Sequence, residues 1–114
     1  MIIKKLSDVP FIELSGYENV KKQIVIGPDD GSNEIVFRYF RIDPGGNTPR
    51  HVHDFPHLVQ IEKGKGALVD AEGKEHPLIK GDFIYINDNE LHSVKNVGPE
   101  TFEFVCIVPA RGEA

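Results

Sequence analysis

Apolar residues fall along this chain in short bursts separated by turn-forming ones. The bursts "KQIVI", "EIVFRYFRI", "HLVQIE", "ALVDA", "DFIYI", "HSVKNV" and "FEFVCIV" are rich in β-branched and aromatic side chains. Between them stand "GPDDGSN", "DPGGNTP", "EKGKG", "AEGKEHP", "NDNE" and "NVGPE", dense in Gly, Pro, Asn and Asp. Strand-sized runs bounded by such clusters predict an all-β sandwich or barrel with hairpin connections. No segment keeps a 3.6-residue apolar period over a dozen positions, although residues 7 to 20 have room for a short helical turn. The first twenty residues read as an arm or edge strand of one domain spanning residues 1–114.

Side chains of a half-buried strand alternate between core and water. In "HLVQIEK" the polar Gln60 and Glu62 define the outer face, which turns His57, Val59 and Ile61 inward. In "LHSVKNV" Ser93 and Lys95 take the outer face, leaving His92, Val94 and Asn96 on the inner one. Glu103 likewise assigns Phe102, Phe104, Cys106 and Val108 to the interior. "EIVFRYFRI" is apolar on both faces, so alternation does not orient Arg38, and a surface position is expected for it.

Composition narrows the function. At 114 residues the chain makes one domain with enough core to stand without staples. Its net charge of -5, from 18 acidic and 13 basic residues, offers no basic footprint for nucleic acid or an anionic membrane surface. No apolar run follows the lysines of Met1–Leu6, and none approaches the roughly 20 residues of a membrane span, so a soluble cytoplasmic protein is expected. Cys106 is the single cysteine, which excludes an intramolecular disulfide.

Three of the five histidines stand in "HVHDFPH" at residues 51–57. His51 and His53 share a face if that piece is extended, and His57 and His92 point inward by alternation. Burying an imidazole without partners costs roughly 1–3 kcal/mol, and a divalent ion is a physical reason to gather four of them. His51, His53, His57 and His92 are therefore the expected metal ligands. Taken alone, the HxH pair fits a polar loop equally well, and His57 a core histidine bonded to a backbone carbonyl; the inward alternation of two more histidines favours metal. Asp54 and His76 read as solvated loop residues. Phe104 and Cys106 would line the pocket. Cys106 is either a soft fifth ligand and oxidation target or, the favoured reading, a small buried hydrophobe.

At these positions the sequence resembles the cupin superfamily. Gly45, His51, His53 and Gly64 fall on its first motif and Gly81, His92 and Asn96 on its second, with 16 residues between the two motifs, which together span residues 45–96. His57 stands where the first motif has glutamate, and Asn87 and Asn89 where the second has proline and glycine. Asn tolerates the left-handed backbone for which glycine is otherwise chosen, so the turn is expected to survive. The histidine makes the site more Lewis-acidic, since four neutral imidazoles offset none of the ion's charge. The sequence is most similar to small cupins with four histidine ligands, some of which hold manganese. The resemblance implies a jelly-roll barrel (double-stranded β-helix) of six or more strands and often a homodimer, which the doubly apolar "EIVFRYFRI" also suits.

Four protein ligands on a six-coordinate ion leave two positions for a small-molecule substrate and dioxygen. An oxidoreductase of the dioxygenase type with manganese or iron is thus the leading expectation, while zinc, nickel, copper and cobalt also suit imidazole. The alternatives are a metal-dependent isomerase or lyase of a sugar-like or keto-acid substrate, with Tyr39 and Tyr85 as candidate bases, and a non-catalytic module that binds a small ligand or a metal.

Overall fold

The computed structural model describes residues 1–113 and contains nine strands: β1 (Ile12–Glu13), β2 (Glu18–Ile26), β3 (Ile35–Asn47), β4 (His57–Lys63), β5 (Gly66–Val69), β6 (Glu75–Leu78), β7 (Phe83–Ile86), β8 (Ser93–Asn96) and β9 (Phe102–Pro109). Short 3-10 turns at Leu6–Asp8, Pro28–Asp30 and Ala110–Gly112 are the only helical pieces among the described residues. None is long or apolar enough to cross a membrane. All pairings are antiparallel, in the order β6-β5-β8-β3-β9-β4-β7, with β2 also on β3 and β1 on β2. The sheet curls on itself, as the expected cupin jelly roll requires.

β3 is the spine. Its thirteen residues pair with β2 on one edge and with β9 on the other, then reach β8 at Asn47. Burial alternates along it, with Val36, Arg38, Phe40 and Ile42 inward and Ile35 and Phe37 outward. Arg38 is therefore buried at 7 % exposure, against the surface position expected from sequence. The outward parity of Arg41 and Asp43 carried that signal, and the apolar residues on both faces obscured it.

β4 and β9 follow the expected alternation: His57, Val59 and Ile61 face the core, as do Phe102, Phe104, Cys106 and Val108. Two residues assigned to the outer face, Ser93 and Glu103, are nevertheless buried. The Glu103 carboxylate accepts hydrogen bonds from the Tyr39 hydroxyl (2.8 Å) and the Thr101 hydroxyl (2.9 Å) and lies 3.4 Å from Arg41 Nε. That network covers the outer face of β9 and removes Tyr39 from the list of catalytic bases. Tyr85 is exposed on the outer face of β7 and is removed with it.

The first twenty residues are both arm and edge. Gln23 holds the arm by donating to the carbonyls of Leu6 (2.9 Å) and Val9 (2.8 Å), and β1 then pairs with β2. "EHP", read as a turn, is instead part of β6, an edge strand where proline costs no ladder bond. His76 stays exposed there, 2.8 Å from an Asp70 carboxylate oxygen. The core joins Ile42, Ile61, Phe102, Val36 and Val108, each at most 1 % exposed.

Candidate metal centre

Two connections bring the histidines together. His51 and His92 exchange both backbone hydrogen bonds, at 3.0 and 3.1 Å, which clamps "HVH" across the start of β8. Asn89, at φ 61, donates its N–H to the His53 carbonyl and closes the same corner. The asparagine thus fills the left-handed position of the motif glycine, as expected. One ring nitrogen each of His51, His53 and His92 fall within 4.8 Å of one another. Ring centroids are 4.2 Å apart for His51–His53 and 4.8 Å for His51–His92.

His57 arrives from β4, with its ring centroid 4.9 Å from His53 and 5.4 Å from His92. Its position follows from register. Val59 pairs with Cys106, and Cys106 with Arg38, so the three side chains share one inner rung and His57 stands diagonal to Cys106. His57 Nδ1 lies 3.4 Å from Cys106 Sγ, while its Nε2 is buried with no hydrogen-bond partner.

Tautomers are set by these contacts. His92 Nδ1–H donates to the Glu90 carbonyl at 2.7 Å, which leaves the Nε2 lone pair free. With its proton on Nδ1, His57 donates to Cys106 Sγ and likewise frees Nε2. Burial pushes His51 down to about 4, with the neighbouring His53, His92 and Arg38 adding to it. Burial also pushes His57 down to about 3, reinforced first by Arg38. His53 is lowered by burial and by His92. These three rings are neutral at ordinary pH, the state that ligates metal.

The histidines open on a cavity of about 340 Å³ in the barrel interior. Phe104 and Cys106 line it, and Phe104 stacks on Phe40 with centroids 5.1 Å apart. Cys106 is 2 % exposed, and burial raises its thiol pKa. It accepts a hydrogen bond from Arg38 Nη2 at 3.0 Å, so it is more than a hydrophobe. Tyr17, Lys22 and Glu113 also line the cavity and were not anticipated, and Arg38 joins them there. Tyr17 and Glu113 come from non-periodic segments, where alternation gives no signal. A larger hollow of about 790 Å³ lies beneath the N-terminal arm and contains no histidine. The titratable groups converge on the smaller one.

A family model for the cupin domain matches residues 38–108, which hold all five histidines, among them His51, His53, His57 and His92. The chain belongs to the cupin family. This cupin is 30 % identical over 116 residues to auxin-binding protein 1 of Arabidopsis thaliana, covering 94 % of this chain and 58 % of that protein. It is 28 % identical over 74 residues to an oxalate-binding protein of Thermotoga maritima, covering 64 % and 60 %. It thus spans about three-fifths of the length of these relatives. Among solved structures, a polyketide cyclase of Streptomyces resistomycificus superposes with a TM-score of 0.90 at 25 % identity, covering 96 % of this cupin and 80 % of that chain. A predicted oxalate decarboxylase of Thermotoga maritima superposes at 0.84 with 22 % identity, covering 95 % and 98 %, a likeness of fold.

Proposed function

We propose that this cupin holds a divalent ion with His51, His53, His57 and His92 and acts there as an oxidoreductase of the dioxygenase type on a small organic substrate. The observation that carries it is the buried, unpartnered Nε2 of His57 beside three histidines whose nitrogens already cluster. A buried polar atom left unpaired is costly, and coordination satisfies it. Manganese or iron is the proposed occupant and would supply Lewis acidity together with access to dioxygen; zinc, nickel, copper and cobalt suit the same nitrogens, and affinity order alone favours copper or nickel.

The chain's own residues do the rest. Glu90 and Cys106 orient His92 and His57 through their Nδ1 atoms. Phe40, Phe55 and Phe104 wall the cavity against water. Arg38 adds positive potential that draws an enolate or carboxylate inward. The small oxygen-rich acids and polyketides in the names of the similar proteins fit such a pocket. Turnover of diketone and enolate probes by metal-loaded protein should collapse when oxygen is removed.

Tyr17 favours a second reading. It lines the cavity with its hydroxyl pKa raised by burial, so it stays a proton donor. An isomerase or lyase that polarises a carbonyl and protonates it from Tyr17 would turn over equally with and without oxygen. That result overturns the dioxygenase reading.

We also propose a homodimer as the working form. Phe37, Leu58, Phe83 and Tyr85 are exposed around an outer groove of about 430 Å³ lined by no charged side chain. The chain's excess negative charge lies elsewhere, so a second copy can cover this face without like-charge repulsion.

A further inference from the structure

Charge in the cavity is unbalanced. With the histidines neutral, its charged lining is Arg38, Lys22 and Glu113, one carboxylate against two cations. A divalent ion would deepen the excess. Arg38 is buried, yet its fork is poorly satisfied. Nη2 donates to a thiol sulfur, a weak acceptor, and Nε has no partner. Nη1 reaches Glu113 Oε1 only at 3.4 Å, while the other Glu113 oxygen is held closely by Lys22 Nζ. Arg38 also lies over the Phe40 ring, 5.1 Å from its centroid, so the guanidinium is fixed in place before any ligand arrives.

Glu113 is brought to this spot by the turn Ala110–Gly112 after β9, outside the sheet. The turn is tied by the Ala110 N–H to the Glu34 carbonyl at 2.9 Å and by Arg111 Nη2 to the Asp54 carbonyl at 3.1 Å. Gly112 packs so closely on the Phe55 ring that a Cβ there would collide with it. The Ala110–Glu34 bond extends the β3–β9 register by one pair, and the other two contacts lie outside the ladder, so Glu113 projects into the cavity from beyond the last strand.

We propose that the ligand of this cavity is a small carboxylate, anchored by Arg38 and Lys22 beside the histidines, and that the Glu113 carboxylate occupies its seat until the ligand displaces it. The proposal rests on the metal reading above, because the ligand's other oxygens would face the four imidazoles. A carboxylate from solution can meet the planar fork with two parallel charge-assisted bonds, which Glu113, shared with Lys22 and reaching Arg38 by a single long contact, does not.

Oxalate and neutral imidazole serve as probes, titrated calorimetrically at pH ~8 into manganese-loaded protein. Arg38→Gln should weaken oxalate by about tenfold or more, the worth of one charge-assisted contact. Glu113→Gln, which keeps the side chain's shape and removes its charge, should tighten oxalate severalfold. Imidazole, which needs only the metal, should bind all three proteins alike. Oxalate affinity unchanged in Glu113→Gln, with imidazole still binding, overturns the displacement and leaves the metal reading standing. A chain that takes up no manganese and binds neither probe overturns both.

Discussion

The two ring nitrogens of His57 meet different surroundings. Its Nδ1 is fixed by Cys106, and its Nε2 has no protein partner in a buried place. Glutamate at this position would bring a charge, and a neutral imidazole brings none, so an ion held here would keep its full charge. The same burial makes the metal-free site acid-sensitive. His51 at about 4 and His57 at about 3 lie below the ~6.5 of an imidazole in the unfolded chain. The unfolded state therefore binds protons that the folded state refuses. Stability from these groups is fully present above pH ~6.5 and drains as the pH falls toward ~4. Urea melts of metal-free protein should show a midpoint that declines across that window. A midpoint flat over it, or rising as the pH falls, contradicts the burial assigned to the rings.

At the scale of elements, the register of β4 and β9 does most to build the site. Alternation made much of it legible: Gln60 and Glu62 in "HLVQIE" and Glu103 in "FEFVCIV" mark the outer face, and His57, Cys106 and Phe104 follow from that contrast. β3 lacks the contrast, because Phe37 and Tyr39 face outward beside inward Val36 and Phe40, and Arg38 was lost for that reason. β6 was lost because Pro77 reads as a turn until the strand is known to be an edge. Tyr17 and Glu113 enter from loops whose paths only the tertiary fold determines. The corner between β4 and β5 was legible as "EKGKG", yet the reason for its second glycine is tertiary. A Cβ on Gly66 would strike the ring of Phe102, which is fully buried. Gly66→Ala should therefore cost about 1–3 kcal/mol, read as a lowered midpoint in urea melts. A loss below ~0.5 kcal/mol would show that this packing is looser than described.

For the whole molecule, the cupin barrel accounts for where the cavity sits, and the outer groove accounts for how copies would meet. Light scattering at micromolar protein should give twice the chain mass, and Phe83→Lys with Tyr85→Lys should return it to the monomer. A monomeric mass for the unaltered protein removes the dimer. The proposed oxygen dependence and carboxylate seat both rest on the proposal that four histidines hold a metal. Elemental analysis of freshly purified protein beside its His57→Ala variant tests that claim most directly. About one equivalent of manganese or iron per chain is expected, lost or loosened in the variant. No metal in either sample, or a metal content indifferent to His57, would contradict it.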